Sequence, residues 1–297
     1  MSTMNAAQPV GTDALRSLAD STGLSPVGRR PGLWAYTRSL WDHRDFILTM
    51  ARSGLRAKSS NDRLGSVWLV LTPLLQGLVY FFVFGLLLGV ARDVENFVGF
   101  LVIGVIFFQH ISQSMVQGSR AVSGNRKLIQ ALAFPRAALP IASSLRSSMG
   151  FLPALAVVFV IVFLSWLPEV RIGWRVVLVV PLVLLIAVFN LGLAMITARF
   201  TAHVNDLGNL LPLFTRLWLY TSGVFYPVER YAADNPVVLS VLTANPMHIF
   251  LTLGRDAILW QQDSSWQYWA GAAGWAFGLL VVGYLVFWQA EEEYTRD

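Results

Sequence analysis

A catalytic or metal centre in this chain would have to be built from four histidines, seventeen carboxylates and no cysteine. Without cysteine there are neither disulfides nor thiolate ligands. His43, His110, His203 and His248 are scattered, and no two stand at the helical spacing a bound metal would need. Each reads as an interfacial or hydrogen-bonded histidine, and no metal site is expected. The chain has no Gly-x-x-x-x-Gly-Lys-Ser/Thr loop, so it offers ATP no P-loop site. It also lacks a Gly-x-Ser-x-Gly elbow and a His-Glu-x-x-His pair. Asp93-Val-Glu95 comes nearest to an acidic transferase motif, but it falls on an expected outer turn, where a solvated loop is the plainer reading. A membrane-embedded transferase would need acidic groups facing the cytosol, and only Asp206 stands near the end of an apolar segment. Catalysis has no visible home, and the expectation is a chain that is not an enzyme and holds no cofactor.

What remains is recognition chemistry. The apolar segment after Val204 is interrupted by Asn205, Asp206, Asn209, Thr215, Arg216, Thr221 and Ser222. Arg216 is the sharpest of these. A charge at membrane depth costs at least about 3 kcal/mol on insertion scales, so it faces a cavity or a partner, or else snorkels to the inner interface. Trp218, Ser222 and Phe225 share one helical face at spacings of four and three, with Tyr220 and Tyr226 close by. Such rings either form a track on which sugar faces stack or make the aromatic belt of an outer interface.

The elements that would carry these residues follow from composition. Apolar residues make up 55% and charged residues only 13%, with a mean hydropathy of +0.57. Soluble domains carry about 25% charge, so the fold class expected is an all-α integral membrane protein. A spanning helix needs about 20 mostly apolar residues. Six segments qualify: Ser66–Val90, Phe97–Gly118, Ser147–Leu167, Trp174–Ala198, Leu207–Phe225 and Trp266–Ala290. Between the last two, residues 226–265 are too polar to span, and Pro227, Pro236 and Pro246 divide them into short helices dipping into the outer leaflet. Gly85 with Gly89, and Gly274 with Gly278, make small-xxx-small faces for close helix packing.

Orientation follows from the Lys/Arg asymmetry. With the N-terminus inside, the inner segments hold 16 basic residues and the outer segments five, Arg216 being counted in neither. Both termini are thus expected in the cytoplasm. The net charge of +5 is then explained by topology, and no nucleic-acid partner is expected. Residues 1–30 are polar with no apolar core; they read as a disordered cytoplasmic tail and not as a cleavable signal peptide.

Residues 31–65 hold an amphipathic helix. Leu33/Trp34, Leu40/Trp41, Ile47/Leu48 and Leu55 recur with a seven-residue step, and Arg38, Asp42, Arg44, Arg52 and Arg56 occupy the other face. Tryptophans at a boundary with arginines toward phosphates suit a helix lying in the membrane interface; a surface helix packed on another subunit is the alternative. Within the inner segment 119–135, Arg126, Lys127, Leu128, Ile129 and Leu132 form a short mixed helix stopped by Phe134-Pro135. It suits docking into a soluble partner, although a positive-inside loop would explain the charges alone.

The amphipathic helix runs into Leu64-Gly65-Ser-Val-Trp68-Leu-Val-Leu-Thr-Pro73, and Ser222-Gly-Val-Phe-Tyr-Pro227 and Asn245-Pro246-Met247 follow later in order. From residue 33 onward the chain resembles the permease subunits of type-2 ABC exporters, most closely those for O-antigen, teichoic acid, cell-wall galactan and other polysaccharides. The resemblance implies a homodimer of six-span subunits (66–297) in the bacterial inner membrane, joined to two copies of a separate ATPase that binds the ATP and magnesium. It makes the helix with Trp34 and Trp41 a gate for a polyprenyl-pyrophosphate-linked glycan. Arg38, Arg44 and Arg63 would meet the pyrophosphate, and Arg126, Lys127, Leu128 and Ile129 would seat in the ATPase. Arg216, Trp218, Tyr220, Ser222, Phe225 and Tyr226 would line the glycan channel, with 226–265 as outer gate helices. A permease of the same type for a small hydrophobic drug or lipid is the alternative function.

Overall fold

In a computed structural model of the chain, residues 32–60, 67–132, 134–167, 173–204 and 206–291 are described. The expected tail 1–30 and Arg63 lie outside that set. All regular structure among the described residues is helical. In chain order the helices are α1 (Leu33–Asp42), α2 (Arg44–Ser60), α3 (Trp68–Tyr80, continued by a π-helical stretch Phe81–Leu87) and α4 (Phe97–Ser119). The short α5 (Arg126–Ala131) precedes α6 (Ala138–Ser165) and α7 (Val179–His203). Next come α8 (Leu207–Thr221), α9 (Val228–Tyr231), α10 (Pro236–Thr243), α11 (Pro246–Arg255, extended by a π turn to Trp260) and α12 (Trp266–Gln289).

Among the described residues, four helices are long and apolar enough to cross a membrane: α4, α6, α7 with the 3-10 turn that leads it, and α12. The pair α10 and α11 passes the same test together but bends by 76° at its break, as a broken span or a re-entrant loop does. The first and fifth expected spans are shorter helices. The first changes to π-helical winding at Phe81, and the left-handed Gly89 (φ 73°) follows its end. The fifth stops at Thr221, because Gly223 (φ 66°) turns the chain. Conversely, α6 begins at Ala138, well ahead of the expected Ser147.

The bundle is organised around α4, whose Ile103, Phe107 and Ile111 are fully buried. Its start is capped by Asn96, whose side chain accepts from Gly99 N at 2.9 Å and donates to Ser165 Oγ at 2.9 Å, tying α4 to the end of α6. Helix association in lipid gains little from apolar burial as such and depends on close backbone approach. That approach is made at Gly192 and Gly283, where α7 crosses α12. A Cβ on Gly192 would lie 2.4 Å from the Leu279 backbone, and one on Gly283 would lie 2.6 Å from Gly192 O. The glycine pairs expected to pack closely do not do so within the protomer: nothing lies within 4 Å of a Cβ at Gly274 or Gly278. Gly85 meets the Phe97 and Phe81 rings, and Gly89 serves a turn.

The helix expected over Leu33–Leu55 is two helices that meet at His43, whose Nδ1 lies 2.8 Å from Ser39 O. Tyr36, Leu40, Ile47 and Ala51 face inward, whereas Trp34 and Trp41 are 82% and 69% exposed. Adjacent helical residues point about 100° apart, so Leu40 and Trp41 cannot both face the core. Together with Phe134, Met195 and Phe287, the inward Tyr36, Leu40 and Ile47 form a second apolar cluster at one end of the bundle. Arg38, Arg44, Arg120, Arg126, Lys127 and Arg136 stand in the chain beside residues of this cluster, so this is the basic end.

Candidate functional site

The aromatic face expected on the fifth segment separates into an exposed and a buried part. On α8, Arg216 is exposed and Tyr220 is 47% exposed. Trp218 is half-buried; its indole N–H donates to Asn245 Oδ1 at 2.9 Å and its ring lies edge-on to Phe108. Ser222 is fully buried, with its hydroxyl on Trp218 O and accepting from Asn245 Nδ2 at 3.1 Å. Phe225 is also fully buried, stacked on Phe84 at 4.4 Å and tilted against Tyr80 at the same distance. Tyr226 is half-buried and donates to Tyr220 O at 2.7 Å. The cause is Gly223, which reverses the chain and folds Val224 and Phe225 into the core. Within the protomer, Arg216 and Tyr220 are therefore the accessible members, and the other four support them.

Arg255 is buried, whereas Arg216 is exposed. Arg255 is 5% exposed and sits in α11 with its guanidinium 3.4 Å from the Phe100 ring centre. Its Nη1 donates to Gly223 O at 3.1 Å, and its Nη2 to Val224 O at 3.1 Å and Phe100 O at 3.4 Å. One side chain thus pins the Gly223 turn to α4. The signal in the sequence was its apolar flanks, Leu251, Leu253, Ala257, Ile258 and Leu259, which are unlike a solvated loop. Asp256 beside it accepts from Gln262 Nε2 at 2.6 Å and Ser264 Oγ at 2.7 Å. His248 pairs with Glu229 at 3.2 Å.

At the basic end, Arg38 and Arg44 are exposed beside Trp34 and Trp41, and the Arg44 guanidinium lies 5.6 Å from the Trp41 ring centre. Arg126 and Lys127 are exposed on α5, while Leu128 and Ile129 are half-buried against the protomer's own second cluster. Leu132, just past the helix, is the apolar residue that projects, at 50% exposure. Among the described residues, no three His, Asp or Glu side chains gather where a metal could be held.

Residues 46–259, from α2 to the π turn after α11, match the ABC-2 type transporter family. The chain belongs to this family. It is similar to an O-antigen export system permease protein RfbA of Myxococcus xanthus, with 27% identity over 217 residues covering 72% of this chain and 80% of that protein. It is also similar to a protein of the same description from Klebsiella pneumoniae, with 24% identity over 218 residues and the same coverage.

Membership makes this ABC-2 chain a multi-pass membrane transport subunit and implies an ABC ATPase partner. Within the matched region, α4 carries a polar row that patterning by apolar span did not isolate. Gln109, Gln113 and Gln117 stand four residues apart on one face, and Gln109 is hydrogen-bonded to Gln76 of α3. Behind the row His110 is stacked on Phe151 at 4.1 Å, and its Nε2 lies 3.0 Å from Asn190 Nδ2. Amides inside a membrane helix need polar partners; this row borders the space between α4 and α6.

Proposed function

We propose that this chain is the membrane subunit of an exporter that moves a polyprenyl-pyrophosphate-linked polysaccharide across the bacterial inner membrane. Two copies of the chain pair with two copies of a separate ATPase, which holds the ATP and magnesium. The observation that carries the reading is the ABC-2 family match over 46–259, joined to relatives described as O-antigen export permeases.

Both termini and the basic end lie in the cytoplasm. The half-exposed α1 and α2 form the gate helix region, whose outward Trp34 and Trp41 sit among lipid headgroups. Arg38 and Arg44, joined by Arg63, meet the pyrophosphate as it arrives, because arginine binds phosphate through several donors at once. Exposed Arg126 and Lys127 contact the ATPase, with Leu132 as the apolar point of that contact and Leu128 and Ile129 transmitting movement into the second cluster. Tyr220 and Arg216 face the polymer. An aromatic face holds a sugar weakly enough to release it, which suits a chain that must slide. Trp218, Ser222, Phe225 and Tyr226 hold that face in place, and the segments within 226–265 close the outer end.

The experiment is depletion of the protein in its own host, followed by mass spectrometry of polyprenyl-linked glycans of the envelope. Accumulation of one full-length lipid-linked polymer at the cytoplasmic side is expected. Unchanged lipid-linked glycans, with altered drug sensitivity instead, would replace this reading with export of a small hydrophobic compound.

A further inference from the structure

Beneath α2 at the basic end, two adjoining cavities lie between α4 and α6. The larger, about 220 Å³, is bordered by Met50 of α2, Gln117 and Arg120 near the end of α4, and Ser143 and Arg146 of α6. The smaller, about 70 Å³, shares Gln117 and Arg146 and continues upward past Gln113 and Gln109. A single water occupies about 10–15 Å³ measured this way, so the larger cavity has room for a phosphate group.

Its chemistry is one-sided. Two of the residues bordering it are arginines, and none of the residues around either cavity is acidic. Among the described residues neither guanidinium is ion-paired or hydrogen-bonded through its side chain. Ser143 borders the larger cavity with its residue only 6% exposed, and its hydroxyl is buried with no hydrogen-bond partner. A buried hydroxyl left unbonded costs about 1–3 kcal/mol, and a half-buried cation without an anion costs more. The buried Ser143 hydroxyl and the half-buried Arg146 therefore share one deficit, an acceptor-rich anion, and the exposed Arg120 adds positive charge at the rim. Helix α2 covers the site closely: a Cβ on Gly54 would lie 2.6 Å from Arg146 Nη1. The opening therefore depends on how α2 is seated.

We infer that this crevice is a binding pocket for the phosphate groups of a lipid-linked headgroup, held by Arg146, Arg120 and the Ser143 hydroxyl beneath α2. The inference rests on the export reading and locates the step after the headgroup's first contact with Arg38 and Arg44. Guanidinium groups donate to the phosphate oxygens, Ser143 donates one further hydrogen bond, and the row of Gln117, Gln113 and Gln109 offers amides to the hydroxyls of the attached sugar. An anion held here lies under α2 and beside the loop that leads to α5, so its arrival is registered on the side where the ATPase docks.

The test uses the full chain in lipid nanodiscs with radiolabelled farnesyl pyrophosphate as probe and inorganic pyrophosphate as competitor. The wild-type protein should bind the probe saturably. Arg146→Gln should weaken binding at least tenfold and Ser143→Ala roughly threefold, while Arg92→Gln, exposed in the turn between α3 and α4, should match the wild type. Ser143→Ala removes only an unbonded hydroxyl and keeps the fold, so it protects the test against a misfolded arginine variant. Equal affinities across Arg146→Gln, Ser143→Ala and wild type would overturn the pocket. Competition by inorganic pyrophosphate as strong as by unlabelled probe would make it a free-anion site and overturn the lipid assignment. Failure of either kind, with full-length lipid-linked polymer still accumulating on depletion, would remove the pocket and leave the export reading intact.

Discussion

Tyr36 of α1 donates its phenolic hydrogen to Glu291 Oε2 over 2.7 Å, joining the first described helix to the residue just past the last. The same phenol accepts from Ala137 N at 3.2 Å, and Glu291 Oε1 accepts from Arg136 N at 2.9 Å. Two side chains thereby fasten α1, the start of α6 and the end of α12 at the basic end. Burial raises the phenol above its ordinary range, and burial likewise raises the Glu291 carboxyl.

This arrangement predicts a pH dependence. A raised carboxyl pKa means that the folded chain binds the proton more tightly than the unfolded chain. The contribution is therefore full below the ordinary glutamate value of 4.5 and is lost as pH rises through the raised value. Tm measured from pH 4.5 upward should fall more steeply for the wild type than for Glu291→Gln; parallel curves would exclude Glu291 as the titrating group. Tyr36→Phe strands the Ala137 N–H and should cost about 1–3 kcal/mol at any pH.

Phe225 and Tyr220 should separate stability from transport. Truncating fully buried Phe225 to alanine removes its stack on Phe84 and should cost about 3–5 kcal/mol, read as a lower Tm and a lower yield of assembled protein. Tyr220→Ala should leave assembly and Tm near wild type while reducing export. Full export by a well-assembled Tyr220→Ala protein would remove Tyr220 from the polymer path.

Glycine substitutions should be position-specific. Gly192→Ala drives a methyl into the Leu279 backbone and should destabilise by about 3 kcal/mol or more, because neither backbone can yield as a side chain would. Gly278→Ala has open space in the protomer and should leave the monomer's thermal stability unchanged. A change in subunit association in Gly278→Ala alone, measured by cross-linking, would place that face between copies.

Charge reversal on α5, by Arg126→Glu with Lys127→Glu, should weaken co-purification of the ATPase several-fold without lowering Tm, since both side chains are exposed. Undiminished co-purification would place the ATPase contact elsewhere. Leu132→Ser is expected to add to the loss, whereas Leu128→Ser should act through the second cluster and lower Tm.

Composition and the placement of apolar segments alone determined that this is a helical membrane protein. The motif order from Leu64 to Met247 was enough to place it among type-2 ABC permeases. Those features are local or additive: hydropathy, proline positions and basic asymmetry can be summed along a chain without knowing what touches what. Arg126 and Lys127 were legible as exposed for the same reason. Only the tertiary structure decided which face of each helix is used. Leu40 and Trp41 are equally apolar neighbours, yet only Leu40 meets the second cluster. Arg216 and Arg255 are both arginines near apolar runs, yet only Arg255 is met by two carbonyls of the Gly223 turn and one of α4. Close packing fell to Gly192 and Gly283, far apart in sequence, because helix crossing depends on three-dimensional register. Ser143 and Arg146 lie one turn apart on α6, but Arg120 comes from the end of α4 and Met50 from α2, so their shared cavity exists only once α2 is laid across α4 and α6.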